Sequence, residues 1–322
     1  MNTRDYVKRK LFIFFDSCKL PLLRTKLYSP DTLIILNIHA INIRNKMENC
    51  LEVSIFDELC KWLKKKYEIL HFQDLEDLDL LNCSKPKMIL SFDDGCFNFI
   101  ESVYPVIKRN NIKCNLNIIG YSLETQKPPF TICLSDALRC IDDSFAEHIE
   151  IPGFTPTVNP LKGRALWDIE VVNYLKMRSI ESREKILEDS DIRLQRFIED
   201  CKEETKMMST SDVKNLSKLV ELGNHSYSHE SMEFQSFDYF KKDFLKSRNL
   251  LNENKIASDI YAFPNGSYRE DMICFLYKEG VKHILLVNEL KNFVNNSKYN
   301  RITFYANSLA EAKVRASGML SK

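Results

Sequence analysis

No Cys-x-x-Cys pair occurs among the ten cysteines, which removes zinc-ribbon and thioredoxin-type readings at the outset. The cysteines are scattered, and several (Cys60, Cys114, Cys274) sit in apolar patterns where small core residues belong, as in a reducing compartment. No apolar run reaches the length that a bilayer-spanning helix needs. Neither charge dominates: 46 Lys+Arg against 45 Asp+Glu leave a net charge of +1, without the basic footprint of a nucleic-acid binder. Internal repeats and low-complexity tracts are absent too. What is present is the composition of a globular protein, 44% hydrophobic and 28% charged. Its 322 residues suit one α/β barrel with insertions.

Lys8-Arg9-Lys10 followed by Leu11 to Phe15 opens like a signal peptide, but the apolar run stops at Asp16 and no small-residue cleavage site precedes Lys19. Residues 1–30 are therefore expected to form an N-terminal arm or helix, with peripheral membrane contact through its basic-aromatic surface as an alternative role. A cytoplasmic location is expected, with no integral membrane segment. Residues 31–322 are expected to form a single domain.

Leu33 to His39 is a dense run of β-favouring residues and reads as the first core strand. Apolar residues at helical spacing predict a helix over 51–67, and 67–72 reads as a short strand. Met88 to Phe92, after the Lys85-Pro86-Lys87 breaker, reads as a buried strand. A helix near 97–109 and a strand at 113–119 continue an alternation that indicates parallel βα units. Prolines 128, 129, 152, 156 and 160 and a charged helix over 181–201 interrupt it. Residues 121–210 are thus expected to be a largely helical insertion over or beside the barrel mouth. A helix over 211–222, capped by Ser209 or Ser211, is predicted next. Helices at 237–251, 270–279 and 309–317 then alternate with strands at 260–263, 283–287 and 301–305.

The chemistry collects at two places. Asp93 and Asp94 stand where the 88–92 strand ends, and Gly95 lets the chain turn beside them. Adjacent carboxylates repel and need partners, of which a metal ion is one and a solvated turn the alternative. Only six histidines occur, yet His225 and His229 are four apart, a spacing that puts both imidazoles on one side of a helical turn. Together with Asp94 they make a three-ligand set that leaves a coordination position for water, with Asp93 free as general base. Two imidazoles and a carboxylate also describe non-haem iron oxygenases, but the alternation of β and α argues against that fold. His71, His148 and His283 read as structural.

Phe92-Asp93-Asp94-Gly95, His225-Ser226-x-x-His229 and Tyr261-Ala262-Phe263-Pro264-Asn265-Gly266-Ser267-Tyr268 occur in that order at βα boundaries. With them the chain resembles the NodB-type polysaccharide deacetylases, carbohydrate esterase family 4. The resemblance implies an α/β fold, a deformed (β/α)7-type barrel, and metal-dependent removal of an N-acetyl group from an amino sugar. It implies Asp94, His225 and His229 as ligands of a divalent metal, with zinc the first choice, and Asp93 as base. The Asn265 backbone N–H is then the donor to the oxyanion. Two family features are missing. No Arg stands in the third block, where this chain has Tyr261 and Ala262, and no late Leu-x-His follows, since residues 284–322 contain no histidine. Asn37-Ile38-His39 is similar to an N-terminal Tyr-His segment of the poly-N-acetylglucosamine deacetylases, which makes His39 the expected proton donor to the leaving amine. Arg301 is a candidate for orienting Asp93 or for holding a substrate anion. Tyr227, Tyr268 and Trp167 are candidates for stacking on sugar. The implied substrate is an amino-sugar glycan of the cell envelope or capsule, or a nucleotide-linked or lipid-linked precursor. A deformylase, an O-deacetylase or a silent carbohydrate-binding relative are the alternatives.

Overall fold

The computed structural model describes residues 3–38, 41–42, 51–77, 84–200, 205–256, 258–294 and 296–320, without the side chains of residues 3–6, 42 and 193. Among these residues the strands are β1 (Thr32–Ile38), β2 (Ile41–Asn42), β3 (Leu51–Glu52), β4 (Glu68–Ile69), β5 (Lys87–Phe92) and β6 (Cys114–Ile118). They continue as β7 (Val220–Asn224), β8 (Ile260–Ala262), β9 (His283–Leu286), β10 (Asn292–Phe293), β11 (Lys298–Asn300) and β12 (Ile302–Phe304). β1, β5, β6, β7, β8 and β9 lie side by side in parallel, with β4 alongside β5. β11 pairs with β9 and β12 with β1, although Arg301 alone separates them in the chain. One segment therefore joins both ends of the run, and the sheet nearly closes into the expected (β/α)7-type barrel with Arg301 at its seam.

Successive strand residues face opposite sides, so each central strand serves two cores. Ile34, Leu36 and Ile38, with Met88, Leu90 and Phe92, pack in the cluster shared with the helix Val53–Lys66. Leu33, Ile35 and Ile89 belong to the smaller cluster that also holds Ile260 and Leu285. The alternation continues that second row to Asn37 on β1, to Ser91 on β5 and to Asp93 just after it. The interior thus changes from apolar to polar toward the carboxyl ends of the strands. That is the end at which a parallel barrel presents its chemistry.

The 121–210 stretch is largely helical, as expected, and carries its own apolar cluster around Leu134, Trp167, Val171 and Leu175. Two expectations fail in detail. The charged helix over 181–201 is two helices, Ile180–Glu188 and Ile192–Asp200, parted at Asp189–Asp191, where Asp and Ser favour caps over helix interior. The helix predicted over 211–222 is only Thr210–Lys214, capped by Ser209 in a reciprocal box with Asp212. Residues 220–224 are instead β7, because pairing with β6 from Cys114↔Val220 to Ile118↔Asn224 outweighs local helix propensity. At the other end, residues 1–30 contribute the helices Thr3–Ser17 and Leu20–Lys26, both packed on Leu309–Ala316. No described helix is long and apolar enough to cross a membrane.

Gly223 on β7 faces the polar end of the interior, and a Cβ there would overlap Asn117 Oδ1. Asn117 cannot swing aside freely, because its Nδ2 bonds Asp93 at 2.8 Å and the Phe92 carbonyl at 3.2 Å. Gly223→Ala is expected to cost about 1–3 kcal/mol of overpacking. Urea unfolding checks this, and a midpoint equal to that of the parent would contradict the tight fit.

Candidate metal centre and active site

After β5 the chain takes two consecutive left-handed residues, Asp94 (φ 75°) and Gly95 (φ 74°). Such backbone is costly for a residue with a side chain and persists only where its surroundings enforce it. Here it separates the two acids. Asp93 meets Arg301 and Asn117 in the barrel, while Asp94 meets the histidines. β7 delivers His225, whose N–H still donates to the Ile118 carbonyl at 2.9 Å. Ser226 (φ 63°) and His229 (φ 61°) are again left-handed, and Ser226 Oγ accepts from the His229 N–H at 2.8 Å. The two imidazoles are thus brought together by a folded loop after a strand, not by a helical turn, with ring centroids 5.0 Å apart.

Asp94 Oδ1 lies 3.2 Å from His229 Nε2 and 3.6 Å from His225 Nε2. One ligand atom from each of the three falls within 4.8 Å of the others. His225 Nδ1 lies 2.8 Å from the Ala262 carbonyl, which can only accept, so Nδ1 carries the proton and Nε2 keeps its lone pair. His229 Nδ1 is 3.0 Å from the Thr131 hydroxyl. Two imidazole nitrogens and a carboxylate oxygen, with their outer atoms already bonded, form a donor set that fits a divalent cation. Burial pushes His225 down to about 4, against the pull of Asp93 and Asp94, so its neutral, ligating form is favoured.

Asp93 is held differently. Its Oδ1 accepts from Arg301 Nη1 at 2.8 Å and from Asn117 Nδ2 at 2.8 Å. Its Oδ2 lies 3.8 Å from His225 Nε2. Arg301 is fully buried and also donates to Asn37 Oδ1, Ser91 Oγ and the Leu286 carbonyl. The third block has no arginine to reach Asp93, and the arginine that does so comes from the barrel seam. Asn265 is left-handed (φ 57°) and its side chain donates to Ser231 Oγ. The hydrogen bonds of its turn run from Gly266 and Ser267 to Phe263 and Pro264, so the Asn265 N–H takes no part in them.

Asp93, Asp94, His225, His229, Asn265 and Arg301 line one pocket of about 350 Å³. The insertion adds Thr131, Ile132 and Ser135 from the helix Phe130–Cys140 and Val172 and Lys176 from the helix Pro160–Lys176 to the same lining. It is also tied to the histidine loop: buried Arg183 grips buried Glu230 in a two-pronged ion pair at 2.6 and 2.8 Å. Glu230 directly follows His229, but nothing in the sequence connected it with Arg183. His39 lies outside the described residues. Trp167 is buried in the insertion core, the Tyr227 hydroxyl donates to Glu124, and Tyr268 packs on Phe263. None of the three lines the pocket. His71 bonds the Leu219 carbonyl, His148 the Ser144 carbonyl, and His283 lies between Phe72 and Tyr299.

A polysaccharide deacetylase family model matches residues 184–284, a span that includes both histidines and the 261–268 block. No curated protein matches the chain. Among solved structures, it is similar to the Streptococcus pyogenes deacetylase PplD in complex with acetate, with a TM-score of 0.58 and 15% identity over 89% of this chain and 98% of that one. It is also similar to IcaB from Ammonifex degensii, with a TM-score of 0.56 and 14% identity over 89% and 97% of the two chains. A de-N-acetylase from Aggregatibacter actinomycetemcomitans gives a TM-score of 0.53 at 14% identity over 86% and 97%. The resemblance to the NodB-type polysaccharide deacetylases thus extends from motifs to fold, and it supports a deacetylase hydrolase.

Arg301→Met leaves the buried Asp93 carboxylate without its cation and is expected to cost about 3–5 kcal/mol of stability. Chemical denaturation measures it, and a loss below about 1 kcal/mol would show the pair to be dispensable. A pH dependence follows from His225. Its pKa is lower folded than unfolded, so acid favours the unfolded chain. The metal-free protein should lose stability as the pH falls from about 6.5 toward about 4. His225→Asn should flatten that slope in urea midpoints taken with chelator present.

Proposed function

We propose that this chain is a metal-dependent hydrolase that removes the N-acetyl group from an amino sugar of a cell-envelope or capsule glycan or its precursor. The observation that carries this reading is the placement of two neighbouring carboxylates in different roles within one pocket. Asp94 faces two imidazoles whose free nitrogens converge on it, whereas Asp93 is fixed by Arg301 and Asn117. Asp94, His225 and His229 would hold the ion, with zinc the first choice. A divalent ion there polarises the acyl carbonyl and acidifies water.

The remaining work falls to the chain. Asp93 accepts the proton of the attacking water through the oxygen not occupied by Arg301 and Asn117. Arg301 keeps the carboxylate aimed, since a rotated Asp93 would lose its 2.8 Å bond. The Asn265 N–H donates to the carbonyl oxygen as negative charge develops on it, the term of largest weight in acyl transfer. An amine leaves poorly as an anion, and His39, next after the end of β1, is assigned the proton that it needs. The insertion walls shield the reacting groups from bulk water, which strengthens each of these contacts. A cytoplasmic site of action, with nucleotide-linked or lipid-linked substrates, belongs to the same proposal. Exposed Val7, Leu11, Ile13 and Phe14 beside Lys8, Arg9 and Lys10 fit peripheral contact with a membrane carrying such a substrate.

Purified protein is assayed for metal content and for acetate release from N-acetylglucosamine oligomers and from a nucleotide-linked N-acetyl sugar. Asp93→Asn should keep the metal and lose turnover by on the order of 10²–10⁴-fold, while His229→Ala should lose both. Equal metal loss in the two variants would refute the division of roles. His39→Ala should retain metal and lose acetate release. Unchanged release would move the proton donor elsewhere.

A further inference from the structure

The pocket contains a cation that neither the metal chemistry nor the base uses. Lys176 stands in the last turn of the helix Pro160–Lys176, one turn after Val172, and both residues line the same pocket as the Asp94–His225–His229 cluster. Leu175 beside it is fully buried in the insertion core, which fixes the helix at this point. Among the described residues Lys176 has no hydrogen bond and no ion pair. A lysine in a last helical turn complements the helix dipole, but that role needs no placement in a pocket. The other charged groups of the pocket are engaged: Arg301 with Asp93, and Asp94 with the histidines. Burial lowers the Lys176 pKa with no opposing carboxylate, so its ammonium is under-compensated as it stands.

Charge points the same way. Asp93 and Asp94 balance Arg301 and Lys176, so the described lining is neutral before any metal binds. A divalent ion makes it net positive, and a pocket of that sign favours an anionic substrate. We infer that Lys176 holds an anionic group of the substrate, a phosphate or carboxylate carried by the amino sugar. This inference rests on the deacetylase reading and adds the substrate's charge to it.

The test compares Lys176→Met, Lys176→Arg and the parent protein, each loaded with metal, on three probes. They are N-acetylglucosamine 1-phosphate, N-acetylmuramic acid and neutral N-acetylglucosamine. Calorimetric affinity and acetate release are both read. Lys176→Met should weaken binding of a charged sugar by about tenfold or more, the scale of one charge-assisted hydrogen bond, and leave the neutral sugar and the metal content unchanged. Lys176→Arg should restore most of the affinity. Loss confined to the phosphate or to the carboxylate probe identifies the source of the anion. An equal effect on all three probes, or none on any, overturns the inference while acetate release by the parent upholds the deacetylase reading. Neither binding nor release of any probe by the parent would overturn both.

Discussion

The buried ion pair between Arg301 and Asp93 is the constraint on which the rest depends. Taking both charges out of water costs several kcal/mol per ion, and the pair is tolerable only when further hydrogen bonds complete it. The barrel supplies several from three directions: Asn37 on β1, Ser91 on β5 and the Leu286 carbonyl of β9 receive Nη1 and Nε of the guanidinium, while Nη2 has no partner among the described residues. Asn117 on β6 supports the carboxylate. Two of those strands, β1 and β9, are the ones that pair with β12 and β11 where the last segment comes back across the sheet. Closing the barrel and aiming Asp93 are therefore one act, since the residue at the seam is the residue that reaches it. Gly223 belongs to the same arrangement, because its missing side chain leaves room for Asn117.

A second set of contacts joins the insertion to the histidine loop. Thr131 meets the outer nitrogen of His229, and Arg183 grips Glu230 next to it. Asp243 accepts from the Tyr227 and Ser228 N–H groups and so secures the loop from the barrel side. Burial pushes Asp243 up to about 6, while these donors hold it down. The strained backbone at Ser226 and His229 is thus enforced from both sides. The insertion works as part of the site wall, and its Lys176 gives that wall a charge.

Much of this was legible in the chain because it lay within short spans. The strand running into Asp93-Asp94, the spacing of His225 and His229 and the 261–268 block need only local periodicity and residue chemistry to be read. The missing third-block arginine and late histidine were equally visible. The details that failed were local choices decided by distant partners. Residues 220–224 became a strand because β6 offered a ladder, and the histidines met through left-handed turns that a four-residue spacing does not specify. Arg301 was visible as a charged residue before a strand, but its full burial was not.

The sequence by itself determined the alternation of β and α, the helical character of the insertion, and the residue types gathered at the strand ends. Those follow from apolar periodicity and from side-chain chemistry, which act within a few residues. Tertiary structure alone decided which cation faces Asp93, which hydroxyl and ion pair brace the His229 loop, and that Lys176 shares a pocket with residues at the ends of the barrel strands. Such pairings arise when a nearly closed sheet and an inserted helical unit bury groups hundreds of residues apart. In that dry interior each buried charge must find a partner, and the chain order does not say which.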